Sequence, residues 1–287
     1  MEKIRIISDL HIDINRDYPL SYKDDVFTII CGDICGNFKD TYKWVKKNIK
    51  RGILVCGNHI VYNDEMKPIS YIKEYLHKKF PVDSPVTLLE NEVGVLSKEV
   101  DGILFVGSCM YTDYKLRVFG LEDVDEKFLI TSNKWKSHYV MNDFNFGIRK
   151  MSKQIISYLT PDDYEEQFRD TMDKMTTILE ENEKKENPLP VVLITHHPLS
   201  TRCIAKRFKK SEVNASFVSD REDFIRRFPS IKLICSGHVH DSFQFNLDKN
   251  DEQSPLYIVN PCGYIRSNEG KKFNPNLCVS TKTWKVD

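Results

Sequence analysis

The chain has 287 residues, 40% of them hydrophobic, with 42 basic and 42 acidic side chains and a formal net charge of zero. That length suits one large domain or two small ones, with a real core. The charge balance supplies no global attraction to nucleic acid or to an anionic membrane, and no run reaches the ~18–20 apolar residues of a membrane helix.

In chain order, Ile4-Arg5-Ile6-Ile7 and Val26-Phe27-Thr28-Ile29-Ile30 read as buried strands. The first leads to Asp9-Leu10-His11 and the second to Gly32-Asp33. A helix is predicted over Thr41–Ile49, with Gly52 as its stop. The strand Ile53–Val55 then leads to Gly57-Asn58-His59. Ile69, Ile72, Tyr75 and Leu76 give a second amphipathic helix, ended by Phe80-Pro81, and short strands follow around Val86–Leu89, Val93–Ser97 and Ile103–Gly107. From about 112 to 187 the chain is polar and reads as a helical insertion. Its clearest helix starts with Thr160 as N-cap, Pro161 at the first position and two acids at the positive end of the helix dipole. Tyr164, Phe168, Met172, Met175 and Leu179 form its apolar face. The strand Val191–Ile194 leads to His196-His197-Pro198. A helix over Asp220–Arg227 precedes the strand Ile231–Ile234, which leads to Gly237-His238-Val239-His240. Strands at Ser242–Leu247, Leu256–Asn260 and Cys278–Ser280 complete the pattern. The economical organisation is a single domain over 1–287, with the helical insertion at about 112–187.

Five motifs thus follow five strands, where ligand sites gather in layered α/β folds, and they hold six of the eight histidines. Asp9 and His11, two apart in extended chain, point to one side and are able to share a metal; the same alternation joins His238 and His240. Gly32 lets the backbone pass a crowded site before Asp33, whose two oxygens are able to bridge two metals. Asn58 adds a neutral carbonyl oxygen. Mixed imidazole and oxygen ligands suit Mn²⁺, Fe or Zn²⁺ and argue against copper(I) or an iron–sulfur cluster. Two metals ~3.5–4 Å apart produce hydroxide near neutral pH and orient a phosphate for in-line attack. The sequence has no GxSxG elbow and no GxxxxGK[ST] loop, in keeping with chemistry that needs no side-chain nucleophile.

In this order, Asp9-x-His11, Gly32-Asp33, Gly57-Asn58-His59, His196 and Gly237-His238-x-His240 resemble the calcineurin-like metallophosphoesterase family, over most of the chain. The resemblance implies an α/β fold, a four-layer α/β/β/α sandwich with two mixed β-sheets. It implies that Asp9, His11, Asp33 and His240 hold one metal, and Asp33, Asn58, His196 and His238 the other. His59 would stand beside the leaving oxygen as proton donor or charge stabiliser. Two departures matter. Ile60 follows the Gly-Asn-His triplet where the family often has an acid, which leaves the support of His59 open. Ile34-Cys35-Gly36-Asn37 replaces the Asp-Arg-Gly continuation of the Ser/Thr protein phosphatases, which argues against that activity. The segments Gly107–Asp113, Met141–Asp143 and Asn260–Tyr264 are similar to those of a microbial and phage-type subgroup.

The remaining features read more plainly. His197 is a candidate hydrogen-bond partner for a ligand, and His77, in a charged helix, and His138, in the insertion, read as ordinary exposed or half-buried histidines. Arg202 to Lys210, with five basic residues and no acid, reads as a solvated helix face, with phosphate or nucleic-acid binding as its functional alternative. Tyr111, Trp135, Tyr139 and Phe144 read as packing of the insertion, or as an aromatic wall over the site. The eight cysteines show no CxxC pair and act as small buried hydrophobes; with no signal-peptide pattern, a reducing cytoplasm is expected. The expected activity is hydrolysis of phosphodiesters of nucleotides or small phosphorylated molecules by a metal-bridging hydroxide, with Mn²⁺ as the expected metal. The alternatives are a phosphomonoesterase, a nuclease (not favoured by a net charge of zero) and a non-catalytic metal-bound protein-interaction scaffold. No membrane partner is expected.

Overall fold

The computed structural model describes residues 1–16, 20–62, 65–151, 155–251 and 253–287. Two large sheets carry the fold. The first contains β1 (Lys3–Ile7), β2 (Phe27–Cys31), β3 (Gly52–Val55), β4 (Val86–Leu89) and β13 (Cys278–Ser280), in the order β13-β1-β2-β3-β4. β1 to β4 are parallel and β13 is antiparallel to β1. The second contains β5 (Ser97–Val100), β6 (Ile103–Ser108), β9 (Val191–Thr195), β10 (Ile231–Ser236), β11 (Phe243–Asn246) and β12 (Leu256–Val259), in the order β11-β12-β10-β9-β6-β5. Its four central strands are parallel, and β5 and β11 flank them antiparallel. Both sheets are therefore mixed.

Alternation along the strands produces the layers. Ile4, Ile6, Ile29, Ile53 and Val55 of the first sheet pack against Phe105, Val192, Ile194, Leu233 and Ile258 of the second. The opposite face of the first sheet, with Ile7, Ile30, Leu54 and Leu88, meets Phe38 and Val45 of helix α1 (Phe38–Asn48) and Ile72 and Leu76 of α2 (Ile69–Lys79). The outer face of the second sheet, with Val106, Leu193, Ile234 and Tyr257, meets Phe168, Met175 and Leu179 of α5 (Pro161–Glu183). The stacking is α/β/β/α. Each fully buried Leu, Ile or Val contributes roughly 1.5–3 kcal/mol relative to exposure.

Local signals explain most element ends. Asn37 caps α1 by accepting from the amides of Lys39 and Asp40. Gly52 is not the stop of that helix: α1 closes at Ile49, whose amide bonds Val45 O, and Gly52 opens β3. Thr160 and Asp163 form a capping box at α5, which runs 23 residues, roughly 35 Å. The strand expected at Val93–Ser97 lies later. Asn91–Val93 is a 3₁₀ turn, Gly94 at φ +72° breaks the extended chain, and β5 begins only at Ser97. The helix expected over Asp220–Arg227 is the five-residue α6 (Glu222–Arg226).

The segment from 112 to 187 is less uniform than a helical reading allows. Besides α5 it holds α3 (Glu126–Val140), α4 (Asp143–Phe146) and an antiparallel pair, β7 (Ile148–Met151) with β8 (Ile156–Tyr158). No described helix is long and apolar enough to cross a membrane.

Register aligns the strand ends. Ile7 pairs with Ile30 and Cys31 with Val55 in the first sheet, and Cys235 pairs with Ile194 in the second. The five motif-bearing loops therefore leave both sheets along one edge.

Candidate metal centre

The ligand-type side chains lie just past the strands, on backbone that is not extended. Asp9, His11, Asp33, His238 and His240 have φ of 51°, 42°, 49°, 69° and 51°. Left-handed backbone is uncommon for such residues and costs energy that packing must offset; it clusters at functional sites. This corrects the argument from alternation. Asp9 and His11 meet because the chain turns, and they meet with His240, while His238 joins a different group.

Three groups of ligand atoms result, each with all its atoms within 4.8 Å of one another: Asp9, His11 and His240; His11, Asp33 and His59; and Asp33, His196 and His238. Asp33 links the first set of imidazoles to the second. His11 Nε2 and His240 Nε2 are 3.0 Å apart. Asn58 Oδ1 lies 3.0 Å from His196 Nε2 and 3.1 Å from His238 Nδ1, so all seven predicted ligands sit in one constellation. Asp33 Oδ2 is buried and accepts no hydrogen bond among the described residues; it lies 3.2 Å from His196 Nε2. Imidazole nitrogens, carboxylate oxygens and an amide oxygen converging in this way fit a pair of borderline-hard divalent cations.

The loops leave little freedom. The amide of His59 donates to Asp33 Oδ1 at 3.0 Å, and that of His238 donates to both carboxylate oxygens of Asp9, at 3.0 and 3.1 Å. A Cβ on Gly57 would lie 1.9 Å from Asp33 Oδ1, and one on Gly32 would lie 2.4 Å from His196 Nδ1. The glycines of these motifs are thus demanded by the side chains they pass. His196 Nδ1 bonds Cys31 O at 2.7 Å, which turns Nε2 toward the cluster. Glu269 Oε2 holds His240 Nδ1 at 2.5 Å and does the same there. Asp143 accepts from Asn58 Nδ2 at 3.0 Å, from Tyr164 Oη at 3.0 Å and from Tyr62 Oη, so Asn58 must aim its oxygen inward.

Burial and mutual charge set the electrostatics. Burial pushes Asp33 up, but the charges of His196 and His59 outweigh it and hold the carboxyl well below the usual range. Asp9 is also lowered: burial opposes, while the hydrogen bond to His240 and the charges of His196 and His240 prevail. Burial pulls His196 and His240 down, yet Asp33 raises the first to about 9, and Asp9 and Glu269 raise the second to about 10. His11 falls to about 3 through burial, and His238 is pulled well down by burial and by the charges of His197 and His196.

A sequence model described as Calcineurin-like phosphoesterase matches residues 2–242. The chain belongs to that family. It is a metal-dependent phosphoesterase, a hydrolase of phosphoric ester bonds. Family members work with two metals, which the His/Asp groups here are able to hold. Among solved structures, phosphopantetheinyl hydrolase from Mycobacterium tuberculosis is similar with a TM-score of 0.67 at 18% identity, over 92% of this chain and 90% of that one. A dimetal phosphatase from Danio rerio gives a TM-score of 0.47 at 13% identity, over 92% and 88%. No match is found among curated proteins.

In this phosphoesterase the described part of the site opens into a chamber of about 340 Å³. It is lined by Asp33, Asn58, His59, His238 and His240 of the cluster together with Val140, Ile204, Phe208, Phe217 and Val218. His59 Nε2 lies 3.2 Å from Tyr264 Oη and 3.9 Å from Asp33 Oδ2. Tyr264 and the Tyr62 ring, 4.4 Å away, thus support His59 where Ile60 supplies no acid.

His197 meets the site by ring packing, 4.0 Å from the His238 ring, and its Nδ1 has no hydrogen bond among the described residues. Residues 202–210 form two short 3₁₀ turns, not a helix. Within them Arg202 stacks on Phe245 and bonds Leu247 O, while Arg207 pairs with Asp241. Of the two readings of Tyr111, Trp135, Tyr139 and Phe144, packing holds for Tyr111 and Phe144, and the wall over the site holds for none of the four. Tyr111 and Phe144 pack on Tyr164 in the core, and Trp135 and Tyr139 are exposed against each other. Phe208, Phe217, Tyr62 and Tyr264 border the chamber instead. His77 and His138 stand in α2 and α3, outside the three ligand groups. Sequence reading missed Glu269, Asp143 and Tyr62. Asp143 and Tyr264 at least lie in segments that resemble a subgroup.

Proposed function

We propose that the chain hydrolyses small phosphodiesters at a two-metal centre, and that Asp9, His11, Asp33, Asn58, His196, His238 and His240 are its ligands. The carrying observation is the position of Asp33, which shares a ligand group with His11 and another with His196 and His238, and lines a largely apolar chamber. Bound metals would supply a nucleophilic water near neutral pH and offset charge on the phosphate oxygens. Mn²⁺ is the metal we favour, and the same donors accept Fe or Zn²⁺.

The chain's own residues do the rest. Asp143 fixes Asn58, Glu269 fixes His240, and the Cys31 carbonyl fixes His196. The apolar walls exclude water and receive an uncharged organic arm. His59, held by Tyr264, donates a proton to the departing oxygen. Residues 112–187 act as an insertion within one domain: Val140, Met141 and Asn142 line the chamber and restrict it to small esters, a nucleotide or similar molecule. The eight buried, unpaired cysteines support a reducing, cytoplasmic setting.

The test compares bis-p-nitrophenyl phosphate with p-nitrophenyl phosphate in Mn²⁺. The higher kcat/KM is expected for the diester. A preference for the monoester overturns the proposal. A phosphopantetheine ester belongs in the same panel, because the similar mycobacterial structure is named for that substrate group.

A further inference from the structure

A second depression adjoins the metal centre. It measures about 700 Å³ and shares Ala205, Arg207, Phe208, His240 and Glu269 with the apolar chamber. The turn Lys206–Phe208 borders both cavities, and His240 belongs to both. The linings differ in chemistry. The chamber has Val140, Ile204, Phe217 and Val218, whereas the depression has Lys206, Lys271 and Lys272. Both acids at the depression are already engaged. Asp241 accepts from Arg207 at 2.8 and 2.6 Å, and Glu269 holds His240 at 2.5 Å. The three lysines make no ion pair among the described residues. Two of them are placed by the ligand loop itself, since the amide of Gly270 donates to His240 O at 3.4 Å. The chain is neutral overall, so this local excess of positive charge is not a property of the whole surface.

A phosphodiester has two ester arms that diverge from one phosphorus atom, and two cavities diverge from this centre. We propose that the depression lined by Lys206, Lys271 and Lys272 is a second substrate subsite, and that it takes an arm carrying further negative charge, such as another phosphate, while the chamber takes an apolar arm. The proposal rests on the diesterase reading above. It also assigns the direction of cleavage. His59 lines the chamber and not the depression. Water adds to phosphorus, the bond from phosphorus to the oxygen of the apolar arm breaks, and that oxygen takes the proton. The anionic arm leaves with the phosphate as a monoester.

The probe is thymidine 5′-(p-nitrophenyl phosphate), with and without a 3′-phosphate. Both release the same p-nitrophenolate, so the ratio of their kcat/KM values isolates the added anion. Solvent-exposed ion pairs are individually weak and salt-sensitive, so the expected preference is modest, roughly fivefold at low ionic strength. It should collapse toward unity in the Lys271→Glu/Lys272→Glu variant and in high salt. Calorimetry should show the same order without turnover, with thymidine 3′,5′-bisphosphate binding more tightly than thymidine 5′-phosphate. Equal kcat/KM values, or a preference that survives the charge reversal, overturn the subsite. Release of p-nitrophenyl phosphate, in place of p-nitrophenolate, overturns the assigned direction. Failure to cleave either ester overturns the diesterase reading itself, and the subsite with it.

Discussion

Replacing Gly57 by alanine adds one methyl group, and the structure says where it goes. The new Cβ would lie 1.9 Å from Asp33 Oδ1 and 2.5 Å from its Cγ. Ordinary carbon contacts begin near 3.4 Å, so the carboxylate or the loop must shift by more than about 1 Å. Gly57 has φ −102°, where alanine is at ease, so the backbone adds no strain of its own. The whole effect therefore falls on Asp33, which is shared between two ligand groups. Misplacement of about 1 Å at a reacting centre costs on the order of 10² in rate. Gly57→Ala should keep its fold by circular dichroism, bind fewer than two metals by elemental analysis, and lose at least about 100-fold in kcat on bis-p-nitrophenyl phosphate. A variant with full metal content and near-native turnover would refute the claim that Asp33 is held against Gly57 for metal binding.

His59→Ala should lose ~10²–10⁴-fold on an alkyl phosphodiester and much less on a p-nitrophenyl ester, whose leaving group needs no proton; equal losses in steady-state assays would point to substrate positioning. Asp143→Ala strands the side-chain donors of Asn58, Tyr62 and Tyr164, and should cost roughly 2–4 kcal/mol in chemical denaturation, with Asp143→Asn costing less. Lys73 is fully buried beside Glu90, at 3.4 Å, and Glu92, so Lys73→Met should cost roughly 3–5 kcal/mol by leaving buried carboxylate charge unpaired. Burial lifts the Glu92 carboxyl from 4.5 to about 7, against the pull of Lys73 and with the help of Glu90. An acid raised on folding stabilises below its unfolded value, and that stabilisation is lost as pH rises from about 4.5 to about 7. Relative to the native protein, Glu92→Gln should therefore gain stability across that window in pH-dependent melts, and a flat difference would contradict the assignment.

The sequence made the five motif-bearing strands legible because each is a short apolar run ended by a glycine- or histidine-bearing turn, as Phe27–Cys31 before Gly32 shows, whereas the polar, half-exposed Ser97–Val100 carries no such signal. It made the ligands legible because their motifs stand at those ends. It did not reveal how they group. His238 and His240 part company through left-handed backbone at both positions, which residue spacing does not encode. The supports were hidden for another reason. Glu269 and Asp143 reach the site only through tertiary packing, from positions 29 residues beyond His240 and 85 beyond Asn58. The basic stretch from Arg202 was misread as a helix face because charge alone does not distinguish a helix from successive tight turns. Arg202 in fact spends its guanidinium on Phe245 and backbone carbonyls.

Whether a pair of metals shares Asp33 is decided by anomalous scattering from crystals of the Mn²⁺-loaded protein. Two peaks are expected within about 4 Å of each other, both in contact with the Asp33 carboxylate, with loss of both on Asp33→Asn. A well-ordered protein with one metal at saturating Mn²⁺, bound away from Asp33, would contradict that arrangement.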